Sequence, residues 1–171
     1  MKGVVFEAVA ERYADRIYAI ALNYFKNPYD ADDIVQEVLL KLYRSDTKFE
    51  SEAHLKHWLL RVTVNQCKKI SLSAWRRRNI SLEGYLAGLQ AELDAESAVD
   101  AAQAAEEAER RNEILRAILK LPKKYRLIIH LYYYEDYDTK EIAGILRMNE
   151  ATVRTRLARG RKILKEVFSD V

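Results

Sequence analysis

Five cations fall within nine residues near the C-terminal end: Arg154, Arg156, Arg159, Arg161 and Lys162. Thr152 and Thr155 sit among them. Arginine offers a planar fork that pairs with the O6 and N7 edge of guanine, and both arginine and lysine neutralise phosphate. This set has the chemistry to read a nucleic acid, provided that one element holds it in register. The surrounding sequence, DTKEIAGILRMNEATVRTRLARGRKIL from Asp138 to Leu164, supplies that element. Asp138 can cap a first helix while Glu141 reaches back to the cap. Ile142, Ala143 and Leu146 make an apolar face, Asn149 caps a second helix, and Val153 and Leu157 repeat at helical spacing. Small Ala143 lets the two helices cross closely. The pattern is a helix-turn-helix with the cations carried outward on its second helix. Residues near the start of such a helix reach base edges, and later ones meet the backbone. Thr152, Arg154 and Thr155 are therefore expected at bases, and Arg156, Arg159, Arg161 and Lys162 at phosphates. A solvated basic face is the competing reading, and the capped two-helix pattern speaks against it.

A second set has the opposite charge. Asp32, Asp33, Gln36 and Glu37 lie on the outer face of one helix beside apolar Leu40. DNA would reject this face, so its partner should be a protein. Acidic residues near a helix N-terminus also occur on ordinary exposed faces, where they favour the dipole. A third set mixes aromatic and polar groups: Phe49, Ser51 and His54, then Arg61, Asn65 and Lys68 at i, i+4 and i+7 on one helix side. Unstacked bases are held by aromatic rings and short polar side chains, and this stretch has both. For Trp58 and Phe49, core packing and base stacking both fit. His54 and His57 are three apart on a helix, close enough to share a metal, but no third ligand follows at suitable spacing. Nothing resembles a P-loop, a dinucleotide fingerprint or a nucleophile elbow. No catalytic residue, metal or cofactor is expected.

The elements that must position these groups read as helices throughout. The 171 residues include only 5 glycines and 2 prolines, and Ala, Leu, Glu, Lys and Arg dominate, so an all-α chain is expected. Phe6, Val9, Tyr13, Ile17, Ile20 and Tyr24 mark a helix over residues 4–26, ended by Asn27-Pro28. Asp30 is expected to cap a second helix over 31–44, with Ile34, Val35, Val38, Leu39 and Leu42 as its apolar stripe. A third runs from about Ala53 to Trp75, with Leu55, Trp58, Leu59, Val62 and Ile70 apolar, and ends in Arg76-Arg77-Arg78. Residues 101–121 and 123–134 are two more helices, parted by Pro122.

The net charge of +3 is unevenly spread: residues 84–108 carry 6 acidic groups and no cation. Two basic lobes on an acidic tether suit two nucleic-acid-facing modules. The single cysteine, Cys67, can form no internal disulfide, and a reducing cytosol is expected. No apolar run approaches the ~20 residues of a membrane span, and no export leader is evident. Membrane insertion is not expected.

The chain resembles the extracytoplasmic-function (ECF) group of bacterial RNA polymerase sigma factors in the sigma-70 family. The stretch DADDIVQEVLLKLY at Asp30–Tyr43 is similar to the family's core-binding helix, and Phe49 through HWLLRVTVN at 57–65 to its promoter-melting segment. LPKKYR at 121–126 resembles the start of the second domain, and TVRTRLARGR at 152–161 its recognition helix. The resemblance implies a core- and minus-10-binding domain over residues 1–78, an acidic linker over 79–108 and a minus-35-binding domain over 109–171. It implies core RNA polymerase as partner, through the β′ clamp and β flap, together with promoter DNA and an anti-sigma factor. Asp32, Asp33, Gln36 and Glu37 would then meet the clamp, and the Phe49–Lys68 set the minus-10 bases. A linker that mimics RNA and one that is a plain spacer both fit. In the turn of the helix-turn-helix the family favours glycine, but Arg147 or Met148 stands here. A non-glycine residue at positive φ is strained, so a differently shaped turn is expected. A free-standing helix-turn-helix regulator is the alternative, and a helical metalloenzyme around His54 and His57 a third reading.

Overall fold

With few prolines and glycines to punctuate the chain, side-chain and backbone caps make the helix ends. A computed structural model describes residues 3–71 and 101–169. Among them are seven helices and no strand: α1 (Gly3–Phe25), α2 (Pro28–Arg44), α3 (Glu52–Ser71), α4 (Ala101–Lys120), α5 (Lys123–Tyr133), α6 (Thr139–Leu146) and α7 (Glu150–Ser169). The end of the third expected helix at Trp75, the cluster Arg76-Arg77-Arg78 and the linker to residue 99 lie outside the described residues.

The start of α2 differs from expectation. Asn27, not Asp30, is the cap: its side-chain oxygen accepts from the backbone N–H groups of Tyr29 at 3.0 Å and Asp30 at 3.4 Å. Pro28 decides this. Its fixed φ suits the first helical position, and its missing N–H leaves nothing unsatisfied there. Asp30 becomes a first-turn carboxylate instead. Lys26 ends α1 at φ 54°, in the left-handed region. For α3, Ser51 is the cap, its hydroxyl oxygen accepting from the His54 N–H at 3.0 Å.

Helices α1, α2 and α3 bury the expected stripes, with Tyr13, Ile17, Ile34, Val38, Leu42, Leu55 and Leu59 in one apolar cluster. Helices α5, α6 and α7 build a second from Ile128, Leu131, Ile142, Leu146, Val153 and Leu157. The two clusters meet. Ile20, Leu60 and Val64 of the N-terminal domain are buried in the C-terminal cluster, and Leu119 of α4 in the N-terminal one. Arg126 of α5 seals the seam. It is 3% exposed, and its guanidinium donates to the carbonyls of Asn23 and Tyr24 at the end of α1 and of Leu121 after α4. A cation facing helix C-terminal carbonyls gains from both dipoles. Burial still lowers its pKa, to about 10.

Candidate nucleic-acid interface

The helix-turn-helix is built as its sequence implies. Asp138 Oδ1 accepts from the Glu141 N–H at 2.8 Å, and Glu141 Oε2 accepts from the Asp138 N–H at 2.9 Å, completing a capping box. Asn149 Oδ1 accepts from the Ala151 N–H at 2.8 Å at the head of α7. The turn corrects one expectation. Arg147 takes the left-handed conformation at φ 54°, ψ 55° without being glycine. The Met148 N–H then bonds back to the Ala143 carbonyl at 3.0 Å, the helix-closing bond of a Schellman-type end. Tertiary packing on both sides of the turn overrides the local preference of one residue.

On α7, Val153, Leu157 and Gly160 face the core. Gly160 admits α5: a Cβ there would stand 3.2 Å from Ile129 Cγ1. The outward arc holds Thr155, Arg159 and Lys162, all exposed. Thr152 and Arg156 occupy one flank, where they line a cleft with Thr155, Arg159 and, from α5, Lys124 and Tyr125. Burial raises the Tyr125 hydroxyl's pKa, but hydrogen bonds from Lys124 and Arg159 together outweigh it and leave it below the ordinary value. The three cations around this cleft suit a phosphate, while the Thr155 hydroxyl donates to the Ala151 carbonyl at 2.9 Å. Lys124 and Tyr125 are not among the expected DNA contacts, although both lie in the LPKKYR stretch. Their signal was present, since a lysine pair opening the helix that crosses under α7 is one turn from the recognition surface.

Arg154 and Arg161, seven residues apart, take the other flank. Arg154 Nη2 donates to Glu150 Oε1 at 2.6 Å. Arg161 Nε donates to the Tyr133 hydroxyl at 2.7 Å, and its guanidinium lies 5.0 Å from the Tyr132 ring centroid. Arg161 is thus braced against α5 and does not join the cleft.

The acidic set is placed as a coherent surface on α2. Asp32, Gln36 and Glu37 are exposed and Asp33 is half-buried. Leu40 and Tyr43 extend that surface with exposed apolar area at 41% and 56%. Tyr43, absent from the expected set, is recognisable in sequence as the apolar residue one turn past Leu40.

The third set is divided. Phe49 is half-buried and packs edge-on against Trp58 and His54, each at 5.5 Å between centroids. Ser51 uses its hydroxyl as the α3 cap. His54 and Arg61 are exposed and Asn65 is half-buried. Lys68 points at the other domain, donating to the Leu146 carbonyl at the end of α6 at 2.8 Å. Burial, and then Arg147, lowers its pKa. His57 meets the Tyr137 ring edge-on at 5.9 Å, while His54 Nδ1 accepts from the Glu50 N–H at 3.4 Å. Among the described residues no three potential metal ligands converge, and no helix is long and apolar enough to cross a membrane.

Comparison with known proteins gives this arrangement its family. The sequence matches Sigma-70 region 2 over residues 9–80 and Sigma-70, region 4 over residues 111–164. It is 30% identical to the ECF RNA polymerase sigma factor SigW of Bacillus subtilis, an alignment covering 97% of this chain and 90% of SigW. It is 28% identical to the ECF RNA polymerase sigma-E factor of Escherichia coli, over 93% of this chain and 84% of that protein. The fold is shared with the sigma factor RpoE, solved with the anti-sigma factor NepR from Bartonella quintana, at a TM-score of 0.65, 16% identity and 96% of each chain. It is shared too with CnrH, solved with the cytosolic domain of CnrY, at a TM-score of 0.59, 18% identity and 96% and 88% coverage. The chain belongs to the ECF group of RNA polymerase sigma factors, which are transcription initiation factors. A free-standing helix-turn-helix regulator is set aside, because residues 9–80 match a sigma-factor region that such a regulator does not need.

Proposed function

We propose that this chain binds core RNA polymerase and directs it to promoters, with residues 1–78 engaging core and the minus-10 element and residues 109–171 the minus-35 element. The observation that supports it most is the cationic outer face of α7, presented by a capped helix-turn-helix and continued on α5 by Lys124 and Tyr125. Thr152, Arg154 and Thr155 stand at the end of α7 that enters a major groove. Arg156, Arg159 and Lys162, with Lys124, meet phosphates along the arc, and Arg161 serves the backbone on the far flank.

The acidic face of α2, with Asp32, Asp33, Gln36 and Glu37, docks on the β′ clamp, and Leu40 and Tyr43 contribute apolar area. The second domain contacts the β flap. Phe49, Ser51, His54, Arg61, Asn65 and Lys68 surround unstacked minus-10 bases, and Lys68 leaves Leu146 to do so. Nucleotide addition belongs to the core enzyme, so this chain carries out no catalytic step of its own and works in the cytoplasm. RpoE is held by the anti-sigma factor NepR and CnrH by the cytosolic domain of CnrY in their structures, and an anti-sigma partner restrains this chain.

Charge reversal tests the core surface. Asp33→Lys with Glu37→Lys is expected to reduce co-purification with core polymerase while helicity is kept. Undiminished affinity in a quantitative pull-down would remove this face from the assignment.

A further inference from the structure

Glu150 is an anomaly on α7. It is a carboxylate at the tip of a helix whose other outward charges nearby are positive, and on DNA it would stand near phosphates that repel it. Its surroundings show what holds it. Thr139, the first residue of α6, donates its hydroxyl to Glu150 Oε1 at 2.8 Å. Arg154 Nη2 donates to the same oxygen at 2.6 Å. Of the cations proposed for DNA contact on α7, Arg154 is the one paired with a carboxylate among the described residues. The carboxylate is therefore fixed from a different helix and in turn fixes an arginine assigned to a base edge.

An ordinary i, i+4 pair would give the same Arg154 distance, but it would not involve Thr139, eleven residues away across the turn. Both hydrogen bonds act to lower the Glu150 pKa, that from Thr139 more than that from Arg154, and the net pKa is lowered. The carboxylate stays charged under working conditions. Arg154 is itself 68% exposed at its side chain, so the pair is weak enough to be exchanged for a guanine edge.

We propose that Glu150, anchored by Thr139, is a positioning residue for minus-35 specificity: it aims Arg154 at a base edge and withholds it from phosphate. Without the carboxylate, Arg154 is free to swing to the backbone. Non-specific binding then strengthens while discrimination falls. A bidentate arginine distinguishes bases by about 5- to 150-fold, and a mobile one that divides its time with phosphate keeps only part of that factor. This inference rests on the assignment of Arg154 to a base.

The test uses holoenzyme assembled with core polymerase on a promoter library randomised at the minus-35 element. Glu150→Gln is expected to flatten the preference at one base position by several-fold and to steepen the salt dependence of binding. Thr139→Val should do the same more weakly, and Thr139→Ser should restore the profile of the unaltered chain. In an Arg154→Ala background, Glu150→Gln should have no further effect on the base preference, since coupled residues are non-additive. A relaxed profile for Arg154→Ala with an unchanged one for Glu150→Gln would overturn the positioning role and leave the Arg154 assignment intact. A further change in base preference on adding Glu150→Gln to Arg154→Ala would overturn it too, because Glu150 would then act on a base without Arg154. No change with Arg154→Ala would remove the base assignment and this inference together.

Discussion

Residue by residue, the DNA contacts proposed for the cations of α7 are of two energetic kinds. A phosphate contact releases a counterion, so losing one flattens log K against log salt by about 0.9. A bidentate base contact contributes about 1–3 kcal/mol of discrimination instead. Arg159→Ala is therefore expected to weaken binding to all sequences and reduce the salt slope by about one unit, whereas Arg154→Ala relaxes preference at one position. Filter binding or anisotropy at several salt concentrations separates them, and identical slopes for both variants would count against the division. His130 makes a prediction of another sort. The residue is half-buried, and its Nε2 is buried without a hydrogen-bond partner. Glu135 Oε1 stands 3.8 Å away, too far for a hydrogen bond, and that carboxylate already faces Arg16 and Lys56. Burial dominates and lowers the imidazole pKa to about 4. The folded state thus takes up its proton only near pH 4, while an unfolded histidine takes one near 6.5. Stability is complete above the unfolded value and is lost as pH falls from about 6.5 toward 4, by on the order of 3 kcal/mol from this group. Denaturant titrations at pH 7 and pH 5 check it: His130→Gln should lose less stability across that interval than the unaltered chain.

Among the elements, ends were legible where the cap is local and misread where two signals compete. The Asp138–Glu141 capping box forms as its spacing implies, because both partners lie within one turn. Asn27 and Asp30 are both good caps three residues apart, and only the fit of Pro28 at the first helical position chooses between them. Arg147 was misjudged for the opposite reason. Its own preference points away from φ 54°, and the packing of α6 and α7 imposes it. That strain makes a prediction. Arg147→Gly is expected to stabilise the C-terminal domain by about 1 kcal/mol, since glycine reaches this conformation without a Cβ penalty. Denaturant unfolding with an unchanged m-value measures it, and a destabilised variant would mean that Arg147 makes compensating contacts. On α3 the stripe of Leu55 and Leu59 is as expected, but Leu60 and Val64 are buried outside it. They form a second apolar face, and a helix with two such faces has two neighbours. That signal was present in the sequence and concerned a partner 60 or more residues away, which periodicity cannot name.

At the scale of the molecule, the two domains are packed on each other through contacts with no local sequence signature. Glu135 is 4% exposed and faces Arg16 Nη1 and Lys56 Nζ, each at 3.3 Å, from α1 and α3. Lys56 Nζ also donates to the Glu135 carbonyl at 2.7 Å. Minus-10 and minus-35 elements lie roughly 25 base pairs apart, or about 85 Å at 3.4 Å per step. A compact chain of this length has a radius of gyration of only about 15 Å, so the proposed binding to both elements requires the domains to part. Glu135→Gln removes the charge without changing the shape. It is expected to loosen the seam by between about 1 kcal/mol, for an exposed pair, and about 3 kcal/mol, for a buried one. Scattering in solution should then show a larger radius for the variant, and an unchanged radius would assign the seam to its apolar contacts and to the hydrogen bonds of Arg126 and Lys68. The central claim concerns what the whole chain does to polymerase. Its most direct test is transcription by purified core enzyme on a pool of genomic promoter fragments, with start sites mapped in the presence and absence of this chain. The account predicts discrete, chain-dependent starts that share upstream elements at minus-10 and minus-35, and their loss when Asp33 and Glu37 are reversed in charge. Starts that are unchanged by adding the chain would contradict it.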